Sequence, residues 1–573
     1  MRDEIIARVT AYRQKLKGSF PASLDRRVAL LQLIRCYDFH RIIGQSVSGN
    51  SDDSRVAANY HTVENHFIWG LNEALSLMWA DSVQSPGIPL FTSDDELIKW
   101  GNSFLICSSR IRLIEHVLEL ERLNLAQIKP MSEGVAHCYL NCAGLGSESI
   151  EREDFYFQST LVEQDYKKRQ LWERLEERRP NVIKKMEKLV APFHKHYIRY
   201  DADPEVDEYY SEYARAMALK CFGWDTFAPT ARFGGIEFRQ YLEAAIMVMG
   251  FAKKHVAFCQ ILWKKYPDIS PMNILSIPGK WSDGCKYLSY ALDSSLTEAE
   301  QILSTTAIGP ENVEHHLSVP ASAPALHYLI GNGSSVRLVT GCLNDPFTFM
   351  LRELRRRFKK DWDNSVDDRE HMFRNLLIAA FAPFGHIIFF GDNIQISSDA
   401  GDTDIDAFAF DPKVGVAAVF QLKWQDPFGS SMRERESRKT NFLNTGNAWV
   451  KKVCRWIEQG KLPQTISSLG MPKEIAQNLK DIRIFVLGRH FSHFSGECHM
   501  DDRAAWGTLP QLLRLLQSKA KGISPIAILH DLMKADSPHN RLPVALEGED
   551  REDEIKIDGF KLVIHQPRIK RGT

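Results

Sequence analysis

The stretch that most constrains this chain is Thr403-Asp-Ile-Asp-Ala-Phe-Ala-Phe-Asp411, a turn at Pro412 to Gly415, and then Val416-Ala-Ala-Val-Phe-Gln-Leu-Lys-Trp424. Two apolar runs of strand length around a short Pro/Gly turn predict adjacent strands, Ile405 to Asp411 and Val416 to Lys423. Strand side chains alternate between faces, so Asp404 and Asp406 share one face, while Gln421 and Lys423 share a face of the next strand. A hairpin that registers the two runs together brings Asp406, Gln421 and Lys423 to one strand end. The plainer outcome is an ordinary hairpin with Asp404 and Asp406 in solvent and Lys423 closing its strand.

The surroundings of this hairpin alternate in the same way. Helix Asp368 to Phe381, strand His386 to Phe390, the two strands above, a helix near Gly446 to Glu458, strand Ile482 to Leu487 and helix Leu509 to Ser518 predict an α/β domain over 363–545. Residues 1–305 read as mostly α-helical, with three- and four-residue apolar spacing over Ile5 to Leu16, Arg26 to Ile43, Asn65 to Trp79, Gly101 to Leu123 and Thr160 to Tyr197. Polar or Pro-containing loops are expected at Gly44 to Arg55, Ser85 to Pro89 and Leu145 to Asp154, with a subdomain break near 145–160. The block Gly234 to Tyr266 is the strongest helical signal and is expected at the centre of the helical core. His255 and Cys259, four apart within it, have a spacing that can serve a metal, but they are expected to be core residues.

Residues 306–362 are expected to be a connector: a Pro/Ser/Ala loop, a strand-like Val336 to Thr340, and a basic helix Pro346 to Lys360. That helix carries Arg352, Arg355, Arg356, Arg357, Lys359 and Lys360, which suit either an exposed charged face or contact with nucleic acid. The tail 546–573 reads as an acidic loop, Glu547 to Glu554, and an edge strand within Ile555 to His565.

Composition excludes some classes of function. At 573 residues, and roughly 150 per domain, three or four folded units are expected. The 72 Lys+Arg almost cancel the 73 Asp+Glu, so any surface that attracts a polyanion must be local. The opening Met-Arg-Asp-Glu is acidic where a leader would be basic, and the most apolar run, Leu376 to Phe390, is broken by Pro383, Gly385 and His386. A cytoplasmic protein with no membrane partner is therefore expected. The ten cysteines form no CxxC pair and fit a reducing compartment. His137-Cys138 with Cys142 lacks a second ligand pair and reads as a packed helix end, and His490, His493, Cys498 and His499 match no zinc template and read as a loop at a domain margin.

The residue types at the hairpin suit phosphodiester hydrolysis. A carboxylate binds Mg²⁺ through oxygen, a Gln carbonyl offers a neutral second ligand, and an ammonium can polarise a water or neutralise phosphorane charge. In the order Glu370, Asp406 and Gln421-Leu422-Lys423, residues 365 to 490 resemble the restriction-endonuclease-like, PD-(D/E)XK, nuclease superfamily. Its core pattern is a Glu-bearing helix, a strand, a strand with the metal-binding Asp, a strand ending in Glu-x-Lys, then a helix and a strand. The resemblance implies a central mixed sheet flanked by helices, Mg²⁺ with Mn²⁺ as substitute, metal ligation by Asp406 and Gln421, water activation by Lys423 and an auxiliary acid at Glu370. Gln421 departs from the usual acid; a Gln-x-Lys form is known in branches resembling methylation-dependent restriction enzymes, but the lost charge weakens metal binding. An inactive module that binds nucleic acid or a protein is thus the alternative.

Arg433, Arg435, Arg438 and Lys439, followed by Lys451, Lys452 and Arg455, suit either a DNA track or a solvated face, while Trp449 and Trp456 fit a buried helix face better than base stacking. Asp404 ranks behind Asp406 as a second acid, and Asp402 reads as a turn residue. No phosphate-binding GxxxxGK[ST] loop is present in the sequence. The expectation is a metal-dependent endonuclease acting on DNA, with RNA as the other candidate. Its setting is expected to be bacterial anti-phage defence, under control of the helical N-terminal region, as a homodimer or with a partner defence protein. A helical scaffold with a decayed nuclease domain is a third reading.

Overall fold

The computed structural model describes residues 1–21, 24–48, 67, 69–79, 87–88, 90–140, 153–161, 166–318, 325–330, 333–344, 346–390, 393–426, 432–460, 477–494, 498–518, 524–541, 544–545, 551–566 and 569–570. Cys142, the loop residues 49–55, 85–86, 89, 145–152 and 319–324, and 547–550 of the acidic stretch lie outside them.

The N-terminal half begins with α1 (Arg2–Gly18), α2 (Arg26–Ser48), α3 (Asp95–Arg122), β1 (Ala126–Ser132), β2 (Val135–Leu140), α4 (Tyr166–Leu189), β3 (Val190–Phe193), β4 (Tyr197–Tyr200) and α5 (Pro204–Ala218). It continues through β5 (Arg232–Phe233), β6 (Ile236–Glu237), α6 (Phe238–Lys265), α7 (Pro271–Leu275), β7 (Pro278–Lys280), α8 (Trp281–Leu292), α9 (Leu296–Ser304), β8 (Ala307–Ile308) and α10 (Val313–Leu317). Then follow β9 (His327–Leu329), β10 (Ser334–Arg337), α11 (Val339–Asn344), α12 (Thr348–Arg357) and α13 (Lys359–Val366).

Helix α6 organises this half, packing against α4, α5, α7, α9 and α11. Its apolar side chains run around most of the circumference because neighbours lie on several sides. Among the described residues it is the one helix long and apolar enough to cross a membrane, and 67% of its apolar window is buried inside the protein. The expected helix Thr160 to Tyr197 ends early: α4 stops at Leu189, and the chain makes the β3–β4 hairpin through a turn with His194 (φ 47°) and Lys195 (φ 64°). His137 and Cys138 sit on β2 rather than at a helix end, and as strand neighbours they point to opposite faces and cannot converge on one ion.

Two boundaries differ from the sequence reading. Residues 306–362 do not form a connector, because Ile308, Tyr328, Val336, Phe349, Leu351 and Trp362 are buried in the same apolar cluster as Leu30 of α2 and Tyr241 of α6. The expected basic helix is two, α12 and α13; the strand-like Val336 to Thr340 is β10 turning into α11. Beyond the short β18 (Val544–Ala545), the C-terminal strands β19 (Arg551–Ile557) and β20 (Phe560–Gln566) do not extend the α/β sheet. They form a hairpin that adds to the N-terminal region in the order β1-β2-β20-β19, with Ile555, Phe560 and Leu562 entering its core.

The remaining chain is a mixed α/β unit: α14 (Asp368–Phe381), β11 (Ile388–Phe390), β12 (Ile394–Ser398), β13 (Gly401–Ile405), β14 (Ala407–Asp411), β15 (Val416–Lys423), α15 (Met432–Glu458), β16 (Asp481–Gly488), β17 (Ala504–Thr508), α16 (Leu509–Ser518) and α17 (Pro525–Ala535). Its five-stranded sheet has the order β11-β14-β15-β16-β17, antiparallel as far as β15 and parallel beyond. Every residue of β15 before Lys423 is buried, as a central strand covered on both faces requires. One face meets α15 through Phe442, Trp449, Val453 and Trp456, which confirms the buried-face reading of those indoles. The other meets α14, α16 and α17 through Phe373, Leu377, Leu512 and Leu529. At Gly446 of α15 a Cβ would come within 2.6 Å of the Trp506 ring, so the helix lies hard against β17.

The two regions are joined by buried polar contacts. Asp154, fully buried, accepts from the backbone N–H of Ser492 (3.1 Å) and His493 (3.3 Å) and meets His493 Nδ1 at 2.7 Å. Arg489 pairs with Asp225, and Arg369 donates to the Thr226 carbonyl at 3.2 Å while stacking over Phe227 at 4.3 Å. His493 is thus part of this joint, and His490 is packed against Phe222 and Trp424. Among the described residues no three His, Cys, Asp or Glu side chains group as a metal site.

Candidate functional site at the end of β15

Asp406 occupies the break between β13, paired with β12, and β14, which enters the five-stranded sheet. The expected single strand Ile405 to Asp411 is therefore interrupted at the residue that matters most. The Asp406 N–H donates to the Phe420 carbonyl at 3.0 Å, and Ala407 lies opposite Phe420, which sets Asp406 beside Gln421. Phe408 and Phe410 share the α15 side of the sheet with Ala417 and Val419, and alternation along β15 continues that face to Gln421 and Lys423.

The side chains meet as the alternation requires. Gln421 Nε2 donates to Asp406 Oδ2 at 2.7 Å, and the Leu422 N–H reaches the same oxygen at 2.5 Å. Asp406 is only 2% exposed, so the solvent-facing reading of this residue does not hold. Burial pushes its carboxyl up to about 6, opposed by the Leu422 and Gln421 hydrogen bonds; the Glu370 charge raises it further and the Lys423 charge lowers it. Those last two influences place Glu370 and Lys423 within electrostatic reach of the buried acid.

Glu370 comes from the first turn of α14, on the opposite side of the sheet from α15, and reaches the strand end with its side chain 41% exposed. Arg374, one turn later, holds it there. Its guanidinium donates to the Asp406 carbonyl (2.5 Å), to Glu370 Oε1 (3.2 Å) and to Asn393 Oδ1 (2.6 Å). Sequence reasoning missed Arg374, although its four-residue spacing from Glu370 was a visible signal.

The other expected residues divide. Asp404 lies on β13 opposite Gln395, and its carbonyl accepts from Trp449 Nε1 at 2.6 Å; the Asp402 carbonyl accepts from Lys452 at 2.8 Å, and its carboxylate from Ser397. Lys452 therefore ties α15 to the β12–β13 hairpin. Arg438 donates to the Asp426 carbonyl at 3.1 Å and covers the Phe491 ring at 4.8 Å, and Arg435 leans on the Met432 sulfur at 3.3 Å. Arg433 and Lys451 are exposed on α15, and Lys439 is half-buried, close enough for its charge to act on His539. The α12 arginines are mostly engaged: Arg356 and Arg357 clasp the fully buried Glu353, and Arg352 is itself buried. His255 and Cys259 are core residues 3.5 Å apart, with the ring Nε2 against the Ile274 and Leu275 carbonyls.

The donor set suits a hard divalent cation. It consists of oxygen groups, and among the described residues its buried carboxylate carries hydrogen bonds on Oδ2 from only Gln421 and Leu422. Gln421 turns its amide NH₂ toward that carboxylate, so its carbonyl points away and must swing to serve as a ligand. No family model matches the chain, and neither does any curated protein or solved structure at a meaningful level of similarity.

Proposed function

We propose that the α/β unit is a restriction-endonuclease-like domain and that the protein is a metal-dependent endonuclease acting on DNA. The observation that carries this reading is the Asp406–Gln421 pair at the end of β15, with Lys423 two residues beyond Gln421 on the same strand and Glu370 tied to the Asp406 carbonyl through Arg374. Asp406 and the Gln421 carbonyl would hold Mg²⁺, which supplies Lewis-acid stabilisation of the phosphorane when bound. Lys423 orients the attacking water and offsets charge developing on the phosphate. Glu370, steadied by Arg374, presents a second carboxylate from the opposite element. Arg433, Lys439 and Lys451 on α15 suit contact with the DNA backbone. Defence against invading DNA is the setting we assign; phage challenge of cells with and without the intact gene should show greater susceptibility in its absence.

The test is metal-dependent cleavage of plasmid, linear and single-stranded DNA and of RNA, with Asp406→Ala and Lys423→Ala compared at equal folding. Cleavage by the wild type that both variants lose supports the assignment, and normal cleavage by either variant removes that residue from the site. An inert binding module is the second reading, favoured by the Gln421 amide turned toward Asp406. Gln421→Glu separates the two: an active site with a weakened metal position should need about tenfold less Mg²⁺ once the charge is restored, whereas an inert module gains no cleavage.

A further inference from the structure

The N-terminal region contains a cleft that the proposed nuclease reaction does not use. Its floor is one face of a small sheet of order β7-β10-β9-β8. Ser335 pairs with Gly279 and Arg337 with His327, so alternation puts Ser335, Arg337 and His327 on the same face, with Gly279 leaving open space beside them. Above this floor the cleft encloses about 450 Å³, within the range of about 300–1,000 Å³ typical of small-molecule sites.

Its charge is one-sided. Arg199, Lys280 and Arg337 line it, and none of its lining residues is acidic. Arg337 makes no ion pair among the described residues; its Nε is buried without a hydrogen-bond partner, and its guanidinium stacks on Phe251 at 5.7 Å. An anion in the cleft would give this charge a counter-ion at the terminal nitrogens of the guanidinium. The adjoining cleft beyond Phe251 and Tyr287 contains Lys254, but that ammonium is already held by Asp207 at 2.5 Å. Burial, with the Arg337 charge adding, pushes His327 down to about 3 and His255 down to about 4, so both imidazoles are neutral and the charge of the cleft is that of its cations.

Two further features give the ligand a shape. Helix α8 starts at the cleft, and its N-cap is Lys280, which supplies no side-chain cap to the first-turn N–H groups. Trp281, the first residue of that helix, stands half-buried at the wall, edge-on to His327 at 5.8 Å. Cations, a helix start and an indole in a volume too large for a bare phosphate call for a planar ring carrying phosphate.

We propose that this cleft binds a small phosphorylated molecule of nucleotide type, with its phosphates on Arg337, Lys280 and Arg199 and its ring against Trp281. The site stands independently of the nuclease reading. The test is calorimetric titration of the full-length protein in EDTA, which excludes metal-dependent turnover, with ATP, GTP, CTP, UTP, adenosine, tripolyphosphate and a short oligonucleotide.

At least one nucleotide should bind at least about tenfold more tightly than adenosine or tripolyphosphate. Arg337→Gln and Lys280→Ala should each weaken it by about tenfold or more. Lys280 is exposed, so its variant should fold even if Arg337→Gln does not. Arg239→Ala in the adjoining cleft should leave binding unchanged. The proposal fails if no nucleotide binds, if tripolyphosphate or the oligonucleotide binds as tightly, or if Lys280→Ala binds like the wild type.

Discussion

Two aspartates, one in each region, are buried to a similar degree and used differently. Asp38 of α2 is fully buried and accepts four hydrogen bonds, from Thr340 N (2.9 Å), Thr340 Oγ1 (2.7 Å), Val339 N (3.0 Å) and Ser276 Oγ (2.8 Å), so that both oxygens are engaged. Among the described residues, Asp406 accepts from Gln421 and Leu422 on one oxygen alone. Burial raises the pKa of both. A carboxylate saturated by donors from two segments of chain is a structural joint. One that is half-satisfied, with Lys423 and Glu370 acting on it at a strand end, has coordination to spare for a ligand.

Substituting both residues gives the largest expected effects and can break this contrast. Asp406→Asn keeps an oxygen acceptor for the Leu422 N–H but removes the anion. Metal-dependent cleavage should fall by about a thousandfold, while stability in urea should change by less than about 1 kcal/mol. Asp38→Ala strands two buried N–H groups and two hydroxyls, and should cost at least about 3 kcal/mol in the same urea titration. If Asp406→Asn unfolds the protein as readily as Asp38→Ala does, the two residues are both structural and the contrast collapses.

The next effect in size concerns pH and belongs to the N-terminal region. His255 and His327 are held neutral by burial, with folded-state values near 4 and 3. Below an unfolded value of about 6.5 the unfolded chain takes up protons that the folded chain refuses, so acid favours unfolding. Stability supplied by these groups is complete above pH 6.5 and is lost as pH falls toward their folded values. Between pH 6.5 and 5 each should cost about 2 kcal/mol. Urea midpoints measured across that range should fall, and His327→Gln should flatten the slope by roughly half.

The same division between local and distant partners explains what the sequence made legible. Helices Asp368–Phe381 and Leu509–Ser518 and strand Val416–Lys423 have the bounds their apolar patterns predict, because each pattern is set by its own residues. The pairing of Asp406 with Gln421 was legible for the same reason, as a short turn fixes hairpin register. By contrast, β20 lies beside β2, and Asp154 meets His493 across 339 positions of sequence; neither partner leaves a local signature. The break at Asp406 was missed because Thr403 to Asp411 reads as one continuous strand, and only the departure of β13 to pair with β12 divides it. β17, Ala504-Ala-Trp-Gly-Thr508, is short and built largely of small residues, so it carried too little pattern to be read.

The smallest effects test the contrast along α15, where cations that look alike in sequence differ in the fold. Lys451 is exposed, whereas Arg438 is committed to the Asp426 carbonyl and the Phe491 ring. A side chain that contacts only phosphate contributes through counterion release, so Lys451→Ala should reduce the salt slope of DNA binding by about one and weaken affinity a few-fold at moderate salt. Arg438→Ala removes a hydrogen bond and a stacked cation next to the β15 end, and should cost about 1–2 kcal/mol of stability with little change in salt slope. Binding isotherms at several salt concentrations, run beside urea titrations, separate the two. If Lys451→Ala leaves the slope unchanged while Arg438→Ala lowers it without loss of stability, the DNA track runs along the strand end rather than along the outer face of the helix.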